Sequence, residues 1–178
     1  MRLFVALDLP EDVRGGLAVW RDELVAGRDD LRPVAEEALH VTLAFLGYRA
    51  EQEVGAIAEA MTSAAAEAPL LVPREVKPIP PRRPRVFALD LDDPDGSCGR
   101  LQQGVSDALE AGRFYKPEKR PFWPHVTLAR VKRNQRADPL PAEPPPLEPF
   151  QAPQLTLYRS TLRPQGAMYD PLAKAALR

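Results

Sequence analysis

Cysteine and histidine are scarce in this chain of 178 residues, which has one of the former and two of the latter. The single thiol, Cys98, cannot form an internal disulfide and cannot build a zinc site of the usual four ligands, so we expect a reducing compartment. No stretch approaches the 18 apolar residues of a membrane span, and the N-terminus lacks the long apolar run of a signal peptide. We therefore predict a cytoplasmic protein with no membrane partner.

An excess of charge of either sign is also lacking, because 24 Lys and Arg face 25 Asp and Glu. Proteins that hold long stretches of nucleic acid by counterion release carry a large positive excess. Any contact with nucleic acid should therefore be local. The length suffices for one domain with a real core and is short for two, so we predict a single domain over residues 1–178.

Proline, in contrast, is abundant, with 21 residues. Twelve of them fall in two segments, residues 73–84 and 139–153. We predict an extended connector for the first segment and an exposed loop for the second, since proline fixes the backbone and donates no hydrogen bond.

Strands and helices alternate along the rest of the chain. Hydrophobic periodicity and β-branched content predict strands at residues 2–9, 39–47, 85–91, 125–131, 154–161 and 167–173, and helices at 11–25, 51–66 and 97–111. The connectors are too irregular for a doubly wound parallel sheet. The pattern favours an α+β fold with antiparallel pairing and indicates an internal duplication.

The two histidines lie in near-identical pentapeptides, because both His40 and His125 begin the sequence H-V-T-L-A. On a strand, positions i and i+2 point to the same face. Each histidine should therefore stand beside its own threonine, Thr42 or Thr127, with the apolar neighbours on the opposite face. Chance is a poor explanation for this repeated context.

Two such pairs suit the hydrolysis of a phosphodiester. In-line attack needs a base that activates water on one side and an acid that protonates the leaving oxygen on the other. Two imidazoles across a cleft provide both near neutral pH, and threonine hydroxyls donate hydrogen bonds to phosphate oxygens. No metal or other cofactor is required.

Other kinds of site fit less well. A metal site built on both histidines would need further ligands, such as the carboxylates of Asp8 or Glu37. A Ser-His-Asp hydrolase would use one histidine, and the sequence has no G-x-S-x-G motif.

The chain resembles the two-histidine (2H) phosphoesterase superfamily, which is defined by two H-x-[ST]-x motifs. It is most similar to the RNA 2′,3′-cyclic phosphodiesterases, also called 2′-5′ RNA ligases. The resemblance rests on the opening MRLFVALDLP, on LHVTLAFLG, PPRRPRVFALDL and EKRPFWPHVTLAR, and on the closing LYRSTLRPQGAMY. It implies a bilobal 2H phosphoesterase fold over residues 1–178, with two antiparallel sheets and flanking helices related by a pseudo-twofold axis around a central cleft.

The resemblance also implies residue roles. His40 would be the proton donor to the departing 3′ oxygen, and His125 would be the proton acceptor that activates water. Thr42 and Thr127 would bind the phosphate.

Five residues after each histidine lie Phe45 and Arg130, which the resemblance makes a base-stacking and a phosphate-binding residue. Strict alternation would put both on the opposite face from the histidines, so these roles require a bulge or a strand end. Trp123 is a candidate for stacking on RNA or for the core. The basic residues expected near the cleft are Arg82, Arg83, Arg85, Lys116, Lys119, Arg120, Lys132 and Arg133.

The implied function is an enzyme that hydrolyses 2′,3′-cyclic phosphodiester ends of RNA, or small cyclic nucleotides, to a 2′-phosphomonoester without a metal, with reverse 2′-5′ ligation. We expect a monomer with no obligate protein partner. Two alternatives stay open at this point. One is a non-catalytic module of the same fold that binds RNA ends, and the other is a phosphodiesterase for another cyclic or 2′-5′-linked substrate.

Overall fold

The structure, a computed structural model, describes all 178 residues. Its elements in chain order are β1 Arg2–Asp8, α1 Glu11–Leu24, β2 Leu31–Pro33, β3 His40–Tyr48, α2 Val54–Ser63, β4 Leu70–Ile79, β5 Val86–Asp92, α3 Ser97–Ala111, β6 His125–Val131, β7 Phe150–Gln151, β8 Gln154–Arg163 and β9 Gly166–Ala176. No helix is long and apolar enough to span a membrane.

The nine strands form one antiparallel sheet in the order β7-β4-β5-β6-β3-β1-β8-β9, and β2 pairs with β6 beside this path. The predicted α+β class with antiparallel pairing is confirmed. The two halves that we expected as two sheets are joined edge to edge, because β3 and β6 pair at Val41 and Val126.

The sheet has an internal near symmetry about this junction. In one half β1 and α1 precede β3, and in the other half β5 and α3 precede β6. β1 pairs with β3 as β5 pairs with β6, both antiparallel. The duplication that the motifs indicated therefore extends to strand order and pairing.

The helices bury the faces that their periodicity predicts. α2 and α3 pack against each other, and α2 also contacts β8 and β9. Ile57 of α2 and Leu109 of α3 are fully buried, as is Leu17 of α1 at 1% exposure. Acidic Glu11 and Asp12 lie in the first turn of α1, where the positive end of the helix dipole favours them.

The prediction of a connector over residues 73–84 is wrong for most of its length, because residues 70–79 form strand β4. Pro73 and Pro78 are tolerated because β4 is hydrogen-bonded to β5 on one side, while its short partner β7 reaches only Leu70 and Leu71 on the other. A proline N that faces an unpaired edge removes no ladder hydrogen bond.

The second proline-rich segment is a loop, as predicted, except for the two residues of β7 at its end. Most of its side chains are exposed, but Leu140 and Phe150 are buried and attach it to the core. The sequence prediction also missed β2, which is three residues long and ends in a proline.

Candidate active site

The strand junction brings the two histidine motifs together. β3 and β6 pair at the valines that follow the histidines, and both Val41 and Val126 are fully buried. Because the strands are antiparallel, counting one position out from this pair sets each histidine opposite the threonine of the other motif. The four side chains that this register brings to one face are His40, Thr42, His125 and Thr127.

Each imidazole is oriented by a backbone carbonyl two residues before it. His40 Nδ1 lies 2.7 Å from the carbonyl oxygen of Ala38. His125 Nδ1 lies 2.8 Å from the carbonyl oxygen of Trp123. A carbonyl only accepts, so Nδ1 of each ring is the donor, which assigns the tautomer from the contact. Nε2 is therefore the atom of each ring that is left to exchange a proton.

His40 is enclosed by aromatic rings. The ring of Phe4 lies 5.0 Å from its centroid, and the ring of Tyr169 meets it edge-on at 5.3 Å. This burial lowers the pKa of His40 from 6.5 to about 4, although the carboxylate of Asp8 acts in the opposite direction. His40 is therefore neutral at pH 7, and its Nε2 lies 2.9 Å from Thr42 Oγ1, which is able to donate to it.

His125 has a different neighbour, an indole that stacks on it. The rings of Trp123 and His125 are 4.2 Å apart and inclined by 18°. Asp90 accepts a hydrogen bond of 2.6 Å from Trp123 Nε1 and forms an ion pair of 3.3 Å with Lys77. Trp123 thus holds His125 through its ring and its carbonyl, and Asp90 in turn fixes Trp123.

Two aspartates that the sequence analysis did not assign to this pair of sites occupy matching positions. Asp8 on β1 pairs in register with His40, and Asp90 on β5 pairs in register with His125. The sequence alone offers Asp8 only as a ligand of a metal site and gives Asp90 no role. A signal was present, because the tetrapeptide A-L-D-L occurs at residues 6–9 and again at 88–91, once in each half.

The two aspartates have different partners. Asp8 accepts hydrogen bonds only from neutral side chains of β8: Gln154 Nε2, Thr156 Oγ1 at 2.8 Å and the Tyr158 hydroxyl at 2.6 Å. Burial and the bond to Asp8 raise the pKa of that hydroxyl, so it remains a donor. Asp90 instead pairs with a cation, so the negative charge beside His125 is compensated and the one beside His40 is not.

A bulge follows each threonine. In the β1–β3 ladder Ala6 pairs with Thr42 and Val5 pairs with Ala44, which leaves Leu43 as the extra residue. In the β5–β6 ladder the same displacement leaves Leu128 unpaired. An extra residue inverts the alternation of side chains beyond it.

The bulges place Phe45 and Arg130 on the same face as the histidines, the condition that their predicted roles required. Phe45 is 57% exposed and lies 6.0 Å from the ring of Phe4. Arg130 is exposed, and its charge adds to burial in lowering the pKa of His40. Because β3 and β6 run in opposite directions, the cleft has an aromatic end at Phe45 and a basic end at Arg130.

A cavity of about 430 Å³ opens beside the motifs. Thr42, Phe45, His125 and Trp123 line it together with Gln102 of α3. Of the predicted basic residues, Arg120 lines this cavity. The others are exposed and lie outside its lining.

No cluster of three or more His, Cys, Asp or Glu residues in the structure has the geometry to hold a metal ion. Cys98 is fully buried in α3, and burial raises the pKa of its thiol to about 12. Cys98 therefore packs in the core as a protonated thiol.

Comparisons with known proteins agree in family and in fold. A family model described as the 2′-5′ RNA ligase superfamily matches residues 9–162. The RNA 2′,3′-cyclic phosphodiesterase of Thermus thermophilus is 36% identical over 188 aligned positions, which cover 100% of this chain and 91% of that protein.

Solved structures superpose over almost the whole chain. The crystal structure of TT0787 of Thermus thermophilus has a TM-score of 0.85 and 32% identity, and the match covers 100% of this chain and 98% of that one. Escherichia coli LigT complexed with 3′-AMP has a TM-score of 0.79 and 30% identity, with 99% and 97% covered.

Proposed function

The chain belongs to the 2′-5′ RNA ligase superfamily, and from that premise we propose that it hydrolyses 2′,3′-cyclic phosphodiester ends of RNA, or small cyclic nucleotides, to 2′-phosphomonoesters. A relative of that name matches the full chain, and a related LigT binds a nucleotide, 3′-AMP. The observation that carries the proposal is the register of β3 and β6, which sets each histidine opposite the threonine of the other motif.

The reaction breaks one P–O bond and forms another. His125 Nε2 takes a proton from water, whose oxygen attacks phosphorus in line with the 3′ oxygen. As the P–O3′ bond breaks, His40 Nε2 gives a proton to O3′. The product carries a 3′ hydroxyl and a 2′-phosphate, and the two histidines have exchanged protonation states.

The threonines act on charge in the transition state, and Arg130 and Phe45 bind the substrate at the two ends of the cleft. The hydroxyls of Thr42 and Thr127 donate to the non-bridging oxygens, where negative charge is concentrated in the transition state. The guanidinium of Arg130 binds phosphate, and the exposed ring of Phe45 stacks on the base. A 2′-5′ linkage forms by the same proton transfers when a 5′ hydroxyl takes the place of water as the nucleophile.

His40 must gain a proton before it acts as the acid. Burial keeps it neutral at pH 7, with a pKa of about 4. A bound phosphodiester anion favours the charged imidazole. We infer that substrate binding is accompanied by proton uptake at His40, beside the uncompensated charge of Asp8.

The remaining expectations are proposals on other grounds. The single buried thiol supports a cytoplasmic protein. The joining of both halves into one sheet supports a single domain over residues 1–178, and we propose a monomer that needs no metal.

A panel of substrates with product identification tests the function. Phosphorus NMR would follow a 2′,3′-cyclic mononucleotide, an oligoribonucleotide with a 2′,3′-cyclic end, and a 2′-5′-linked dinucleotide in excess EDTA. We expect 2′-phosphate from the cyclic substrates at an undiminished rate with EDTA.

Two outcomes would contradict this account. Loss of activity with the chelator would point to a metal enzyme. Tight binding of the cyclic-ended RNA with no product after long incubation would point to the binding module.

A further inference from the structure

The short strand β2 brings a second arginine to the basic end of the cleft. In its antiparallel ladder with β6, Arg32 pairs in register with Arg130, while Leu31 pairs with Val131. Residues directly opposite in a ladder project from the same face of the sheet. Since the bulge at Leu128 puts Arg130 on the face of the histidines, Arg32 lies on that face too.

Burial agrees with this placement. Leu31 and Val131 are 3% and 7% exposed, whereas both arginines are exposed. The apolar pair therefore faces the core, and the two guanidinium groups face the solvent beside the active site.

No acidic partner compensates these two charges. Neither arginine takes part in any ion pair or side-chain hydrogen bond of the structure. Asp30, two residues before Arg32, is held by Arg28 through hydrogen bonds of 2.9 and 2.7 Å. Like charges directly opposite in a ladder repel each other, so an anion bound between them removes a cost that the free protein carries.

The position of the pair specifies which anion. Arg130 is three residues beyond Thr127, which corresponds to on the order of 10 Å along the strand, less the shortening at the bulge. The cyclic phosphate belongs between the two motifs, and Phe45 occupies the opposite end. A strand that ends in the cleft therefore continues its backbone toward the arginine pair.

We propose that Arg32 and Arg130 form a subsite for the phosphodiester on the 5′ side of the terminal nucleoside, and that this subsite makes the enzyme prefer oligoribonucleotide ends to mononucleotides. The inference rests on the proposed function, because it takes the cyclic phosphate as bound between the histidines. Arg32 binds but takes no part in proton transfer, so it has no role for a substrate that lacks the 5′ phosphodiester.

Two substrates separate this role from a structural one. The kcat/KM of Arg32→Ala would be measured for an oligoribonucleotide with a 2′,3′-cyclic end and for a 2′,3′-cyclic mononucleotide with a free 5′ hydroxyl. For the oligonucleotide we expect kcat/KM to fall by about tenfold at low salt, because one charge-assisted contact is lost. For the mononucleotide kcat/KM should change by no more than about twofold. The dependence of log kcat/KM on log salt for the oligonucleotide should become shallower by about 0.7, the value for one phosphate of a single strand.

Arg178→Ala is the matched control. Arg178 is exposed, has no ion pair and pairs through its backbone with Ala66, beyond the end of α2. It should leave both substrates unchanged, and Arg32→Lys should recover part of the loss for the oligonucleotide. An unchanged oligonucleotide rate in Arg32→Ala, or an equal loss for both substrates, would overturn the proposal.

Failure of the proposed function gives a different result. In that case the wild-type protein cleaves neither substrate. Fluorescence anisotropy with the same labelled oligonucleotide then decides the question of Arg32, because an unchanged Kd in Arg32→Ala contradicts the subsite and a weakened Kd supports it.

Discussion

At the scale of single residues, the two copies of the histidine motif have different surroundings. His40 lies among Phe4 and Tyr169, beside a carboxylate that only neutral groups contact. His125 stacks on Trp123, beside a carboxylate paired with Lys77. These surroundings distinguish the two imidazoles, whose local sequences are the same and to which the proposed mechanism gives opposite roles in proton transfer.

The depressed pKa of His40 predicts a pH dependence of stability. The unfolded histidine titrates near 6.5 and the folded one near 4, so the unfolded state binds more protons between these values. The free energy of unfolding should fall by about 3 kcal/mol as the pH decreases from 7 to 4, beyond the change caused by other groups. Urea denaturation of wild type and His40→Gln at several pH values measures this.

The variant is the control for every other titrating group. In His40→Gln the free energy of unfolding should decrease less over the same pH interval. If the free energy of unfolding of both proteins decreased equally with pH, burial would not lower the pKa of His40 as we predict.

Asp90 is predicted to act on catalysis through Trp123. Asp90→Ala removes the acceptor of the indole N–H, which loosens the residue that holds His125 by stacking and by its carbonyl. We expect kcat to fall by about tenfold with KM nearly unchanged, since small displacements of a catalytic group are costly. Steady-state kinetics of the variant gives both constants.

Asp90→Asn should recover most of the rate, because the amide oxygen still accepts the hydrogen bond. Asp92→Ala is the matched control, since that carboxylate is two positions along β5 and pairs with Arg74 at 2.8 Å. A loss of rate as large in Asp92→Ala as in Asp90→Ala would indicate a general effect on β5.

The sequence predicts the four central side chains but not the groups around them. His40, Thr42, His125 and Thr127 were identified because the motif is repeated. Asp8 and Asp90 are brought opposite the histidines by strand pairing, which joins positions 32 and 35 residues apart along the chain. The site of Arg32 depends on a three-residue strand, whose pairing no local pattern specifies.

At the scale of elements, a bulge in β3 and another in β6 determine which side chains reach the cleft. β3 and β6 share the same order of half-buried, buried and exposed residues over their first seven positions. One extra residue in each strand moves Phe45 and Arg130 to the cleft. With strict alternation both side chains would point to the opposite face. Their position in the site therefore depends on a bulge in each strand, which the predicted roles require but which the sequence alone does not reveal.

Alanine substitutions at two glycines should have opposite effects on the free energy of unfolding. Gly47 in β3 has a φ of +69° and Gly55 is in α2, and nothing lies within 4 Å of a Cβ added at either. Gly47→Ala should lower the free energy of unfolding by about 1 kcal/mol, because an L side chain is strained at positive φ. Gly55→Ala should raise it by about 0.5 kcal/mol, because alanine loses less entropy in a helix. Urea denaturation compares them, and equal signs would contradict the backbone assignments.

Elements with strong periodicity were predicted almost to the residue, as α3 and β6 show. β4 was not predicted as a strand, because its prolines indicate a connector when the segment is considered alone. Only the sheet order shows that its outer edge is unpaired over most of its length and can accept them.

The whole molecule consists of two similar halves, and the proposed active site lies where they join. In the proposed mechanism neither half supplies both an acid and a base, and a single antiparallel pairing brings the two motifs together. This arrangement explains why a duplicated fold retains one copy of the motif in each half.

A site to which each half contributes one histidine also predicts the pH dependence of the rate. The kcat/KM for a cyclic substrate should be bell-shaped, because one imidazole must be charged while the other is neutral. The two apparent pKa values belong to the coupled pair and not to either histidine. Stopped assays between pH 4 and 9 measure this profile, and a flat profile between pH 5 and 8 would exclude paired imidazoles.

The kinetics of His40→Ala, His125→Ala and the double variant with a 2′,3′-cyclic-ended oligoribonucleotide in excess EDTA test the central claim most directly. Groups that act as a unit are not additive. We predict that each single variant loses about 10³-fold in kcat, within the range of general acid–base catalysis, and that the double variant is little worse than the poorer single one. Near wild-type turnover in either single variant, or losses that multiply in the double variant, would contradict an acid and a base that act on one phosphodiester.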